Sequence, residues 1–231
     1  MKKVFAIMAA VMVLAVSLAG CGNDKRAENS DVQNTQEANY SLPTELTDDL
    51  FDYRVQIGEN VLIAPMTLRH LKEAGWTSNE EKYPKISSGA DYPIDFEKDD
   101  ELITVHVKNN TSDTVERLTD KGAAQITVES VGCHANPNIN TKPIRLPKGI
   151  TSGVSTIDDV VAAYGEPQNI EEQYAVGGGN RCGYIYIYYE GEKLDNYKTA
   201  DRYIAISVGY FGDKVKEKEW TVTGVHLHAV S

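Results

Sequence analysis

A surplus of 34 acidic over 23 basic side chains gives these 231 residues a formal charge of −11. Such a surface repels phosphate backbones, so nucleic acid is excluded as an expected partner. With 41% hydrophobic residues, the chain can bury a core in one domain or in two small ones.

The chain begins with Lys2 and Lys3, followed by an apolar run from Val4 to Leu18 broken only by Ser17. A short positive region before an apolar run of this length reads as a secretory signal over residues 1–20, too short for a stable membrane span. The run ends in Leu18-Ala19-Gly20-Cys21, which resembles the lipobox of bacterial lipoproteins. The resemblance implies cleavage before Cys21, diacylglycerol on its thiol, and palmitate-type acylation of its amine. Two or more chains hold a protein firmly on a membrane. The expected location is the bacterial cell membrane, lipid-anchored and facing the extracytoplasmic side. Cleavage removes two lysines and no acids, leaving a charge of about −13.

Residues 21–45 hold the lipidated cysteine and a polar segment rich in Asn, Gln, Ser and Thr without apolar periodicity. It reads as a disordered tether. About twenty coil residues give a reach of about 25 Å.

From residue 46 the expected organisation is α+β, as two tandem units over 46–140 and 141–231. In the first, the alternation of Phe51, Tyr53, Val55 and Ile57 predicts a strand that turns at Gly58 into Val61-Leu62-Ile63. Thr67 then opens a short helix with Leu68, Leu71 and Ala74 inward, stopped by Gly75. Strands are predicted around Ile94–Phe96, Leu102–Val107 and Ile126–Val131. In the second, Ser155 or Thr156 caps a helix whose Ile157, Val160, Val161 and Tyr164 share one face. Strands follow at Gly183–Glu190, Tyr203–Phe211 and Trp220–Val230. A short helix packed on an antiparallel meander, twice over, is the predicted architecture.

Cys133 and Cys182 form an even pair once Cys21 is lipidated, in a compartment that permits oxidation. A bridge would close about fifty residues and contribute about 4 kcal/mol in the chain-entropy estimate. Two separate buried thiols are the alternative.

Strand alternation also proposes a binding face. Ile185, Ile187 and Tyr189 fall on one side of their strand, and Tyr184, Tyr186 and Tyr188 on the other. If the helix covers the aliphatic side, the three tyrosines face outward with Tyr203. A bulge near Gly224 adds Thr221, Thr223, His226 and His228 to them. Rigid aromatic contact area with polar tips suits partner recognition. His226 and His228, two apart on one strand, point the same way and can chelate a transition metal if further ligands converge.

The segment Ser155-Thr156-Ile157-Asp158-Asp159-Val160-Val161-Ala162-Ala163-Tyr164-Gly165-Glu166-Pro167, with Ile150 to Val154 before it, resembles the helical part of envelope lipoproteins with a β-lactamase-inhibitor-protein-like fold. These include the small lipoprotein of the outer-membrane barrel-assembly machinery. Leu71 to Trp76 is similar to segments of uncharacterised Gram-positive lipoproteins. The resemblance covers about thirty residues strongly and implies protein binding or scaffolding, without enzyme activity or cofactor. The expectation is therefore a membrane-anchored binding module for an envelope protein. A solute- or metal-binding lipoprotein using His226 and His228 is the alternative.

Overall fold

The computed structural model describes residues 42–78, 85–116, 125–135, 142–174, 181–192, 194–210 and 217–230. The signal segment, Cys21 and the tether as far as residue 41 lie outside the described residues.

Strand β1 (Arg54–Ile57) pairs antiparallel with β2 (Asn60–Ile63) through a turn at Gly58, whose φ of +57° suits a residue without Cβ. The short β3 (Met66–Thr67) leads into α1 (Leu68–Glu73). Thr67 caps that helix: its backbone N–H donates to His70 Nδ1 at 3.1 Å, which employs one of the five histidines. β4 (Asp91–Lys98) and β5 (Glu101–Lys108) form a hairpin whose two loop residues, Asp99 and Asp100, both take positive φ. A two-residue loop of this kind matches the twist of the strands, and aspartate tolerates the conformation.

β6 (Thr127–His134) and β7 (Ile144–Arg145) follow, and β7 joins β1 in a three-stranded sheet ordered β2-β1-β7. Helix α2 (Ile157–Tyr164) starts in a capping box in which Thr156 and Asp159 exchange hydrogen bonds, and it stops at Gly165. The chain ends in β8 (Asn169–Tyr174), β9 (Arg181–Tyr188), β10 (Arg202–Gly209) and β11 (Thr221–Ala229). The main sheet runs β4-β5-β6-β11-β10-β9-β8, with β3 on β6, and all its pairings are antiparallel.

This is a β-rich fold, and it corrects the expected α+β pair of helix-on-sheet units. The two helices among the described residues are six and eight residues long, about 9 and 12 Å, too short to form a layer over such a sheet. The predicted meanders do not remain separate either. β6 pairs with β11 from His134↔Gly224 to Ser130↔His228, so strands assigned to different units are neighbours in one sheet. A single cluster of buried side chains runs beneath it, from Val55, Leu71 and Phe96 through Val131 and Cys133 to Ile206, Tyr188 and Leu227.

Candidate binding face

Period-two alternation divides the sheet into a core side and an outer side. On β5, Ile103, Val105 and Val107 are buried in the core, which sends Thr104, His106 and Lys108 outward. On β6, Val131 and Cys133 point inward, while Ser130, Gly132 and His134 point outward. On β11, Val222, Val225 and Leu227 are core residues. The extra residue that keeps them in phase is Thr223: Ser207 faces Gly224 and Val208 faces Val222, a bulge at the position the sequence indicates. His226 and His228 therefore share the outer side with Tyr203 of β10.

Strand register gathers these groups into rows. His106, Ser130, His228 and Tyr203 lie across β5, β6, β11 and β10. Thr104, Gly132, His226 and Ala205 form the next row, followed by His134, Gly224 and Ser207. Four of the five histidines thus occupy one face of one sheet.

The rings touch. Tyr203 stacks on His228 with centroids 4.8 Å apart, and on His226 at 5.9 Å with 25° between planes. His106 meets His226 edge-on at 6.3 Å. Glycine makes the room: a Cβ on Gly132 would stand 3.3 Å from His226 Nδ1, and one on Gly224 would stand 2.9 Å from His134 Nδ1. Each of these imidazoles lies over the bare backbone of its cross-strand glycine.

Burial pushes His226 down to about 4, and the charges of His106, His228 and His134 add to the shift. His228 is also lowered, by burial first, while Glu129 and Asp91 work in the opposite direction. At neutral pH the centre of the patch is uncharged. Its rim is wetter: the His106 side chain is 44% exposed and lies 3.3 Å from Asp91 Oδ1, and His134 is exposed. Further along the same side, β9 and β10 are covered. There Leu194, Tyr197 and Ala200 pack over Ile187 and Ala205, and Tyr197 meets Tyr203 edge-on at 5.1 Å.

The predicted tyrosine face requires correction. Tyr186 and Tyr188 are only 7% and 2% exposed and belong to the main core. In register they stand beside Ile206 and Ile204, which are buried in the same core. Tyr188 Oη donates to the Gly165 carbonyl at the end of α2, and its ring meets Tyr164 edge-on at 5.8 Å. Tyr184 is half-buried on that side, with its hydroxyl on Glu217 and its ring 5.7 Å from Trp220. Of the predicted face, Tyr203 joins the histidines. Thr221 bridges Thr156, and Thr223 donates to the Ser207 carbonyl, both half-buried.

Cys133 and Cys182 are free thiols, against the possible disulfide. Cys133 is buried on β6 and Cys182 lies on β9, three strand spacings away. Three spacings are about 14 Å, twice the reach of a disulfide. Burial holds the Cys133 thiol far above its ordinary range. The chelation idea for His226 and His228 finds no geometry to complete it. Among the described residues, no group of three or more His, Cys, Asp or Glu side chains is arranged to hold a metal ion.

Sequence reasoning missed His106, Ser130 and Gly132 as members of this face. The signal was present in β5, where His106 falls between Val105 and Val107. It acquires meaning only once β6 is known to lie between β5 and β11. Among the described residues, no helix is long and apolar enough to cross a membrane. No family model, curated protein or solved structure matches this chain.

Proposed function

We propose that this chain is a lipid-anchored extracytoplasmic protein-binding module, which engages a partner protein through the outer side of β5, β6 and β11 together with Tyr203 of β10. The lipobox-like Leu18-Ala19-Gly20-Cys21 supports the anchor. A single observation carries the binding reading: Tyr203, His228, His226 and His106 form one contiguous ring patch whose rim is open to solvent. Flat aromatic area with polar edges suits a protein surface. A small solute needs a concave site that encloses most of it.

The test is partner capture from crosslinked cells by the full-length, anchored protein. Replacing Tyr203 and His228 together with serine is expected to reduce capture at least about tenfold, the scale of losing one central aromatic contact. Circular dichroism should show the fold retained. Undiminished capture by the folded double variant would contradict this use of the face.

A further inference from the structure

The β6–β11 seam is where β4, β5 and β6 meet the β8–β11 half of the main sheet. It has five register pairs, and histidine stands in three of them: His134↔Gly224, His226↔Gly132 and His228↔Ser130. We propose that these histidines make the seam an acid-sensitive joint, closed while they are neutral and loosened when His226 and its neighbours take up protons.

The groups around His226 come from every strand packed against it. Tyr203 faces it from β10, His106 from β5, His134 from β6 and His228 from its own strand. Carboxylates lie farther out. Asp91 is 3.3 Å from His106 Nδ1, Glu129 is 3.7 Å from Lys108 Nζ, and Glu129, Asp91 and Asp201 favour the cation on His228. These carboxylates stand beside His106 and His228, yet burial still lowers His228 on balance and lowers His134 as well. The charged neighbours that act on the central ring are the three other histidines, and all of them oppose its protonation.

The seat of His226 is built from the seam itself. Its ring lies over Gly132 of β6 and against Tyr203, so a proton that needs water draws the ring off β6. The sign follows from proton linkage. His226 stays neutral in the closed sheet down to about 4, whereas a solvated imidazole titrates at its ordinary 6.5. Between those values the open form binds more protons. The closed seam is thus fully favoured above the upper value and progressively lost as pH falls toward the lower one.

The proposal shares its residues with the binding face, but its test reads the protein alone. Amide hydrogen exchange of the full-length protein, corrected for intrinsic rates, is compared at about pH 7.5 and about pH 5. Amides of β6 and β11 are expected to lose at least about tenfold more protection than those of β1 and β2. His226→Phe, which keeps a ring over Gly132 and cannot titrate, should abolish most of the difference. If that variant does not fold, the imidazole titration of His226 in the wild-type protein by NMR decides, with a midpoint below about 5 expected. Uniform loss of protection, no loss, or a His226 midpoint at the ordinary value would overturn the joint. None of these outcomes bears on capture at neutral pH, so the two readings fail separately.

Discussion

At Tyr188 the ring and the hydroxyl have separate tasks. The ring fills core space beside Ile204 and against Tyr164, and the hydroxyl closes the end of α2 by donating to Gly165. Tyr188→Phe removes only the hydrogen bond and should cost about 1 kcal/mol. Tyr188→Ala also leaves a cavity and should cost about 3–5 kcal/mol, lowering the melting temperature by about 10 °C. Thermal melts check both, and an alanine variant as stable as wild type would return Tyr188 to the surface. The alternation of tyrosine and isoleucine along β9 was legible in the sequence. Which set meets the core was not, because this strand is buried on both sides: Tyr188 is 2% exposed and Ile187 is fully buried. The inside-or-outside reading of alternation needs one solvated face, and segment 194–200 removes it here.

Among the elements, those with local chemistry were readable. Thr156 with Asp159 begins α2, Gly165 ends it, and the Gly224 bulge keeps β11 in phase. β8 was not readable. Asn169-Ile170-Glu171-Glu172-Gln173-Tyr174 has little strand propensity, and it is a strand because β9 offers an edge. The β9–β10 pairing contains a further constraint that composition hides. Gly183 faces Gly209, and a Cβ on Gly183 would stand 2.6 Å from the Val208 carbonyl oxygen. Backbone cannot swing aside as a side chain does, so Gly183→Ala should destabilise by about 1–3 kcal/mol. Chemical denaturation measures this directly. A neutral result would mean that β9 and β10 are less closely apposed than described.

At the scale of the whole molecule, the sheet joins segments far apart in the chain. His134 and Gly224 are neighbours across about ninety intervening residues, a pairing of the non-local kind that no periodicity announces. That is why two similar-looking stretches of sequence read as two units, and why the histidines of β5, β6 and β11 were not seen together. His226 and His228 were singled out from spacing alone. Alternation already sets Tyr203 on their face, while their neighbour His106 and their glycine seat come from register. Solvated rim, neutral centre and ring-on-ring packing are the features on which the proposed protein-binding face rests.

Site-specific photocrosslinking in intact cells tests that face most directly. A photoreactive residue is placed either at His134, exposed on the outer side of the sheet, or at Val154, 72% exposed in the loop before α2. The full-length protein is used in both cases. A discrete protein adduct is expected from position 134, absent from position 154 and lost when Tyr203→Ser is added. Equal adducts from the two positions, or none from position 134, would contradict the account.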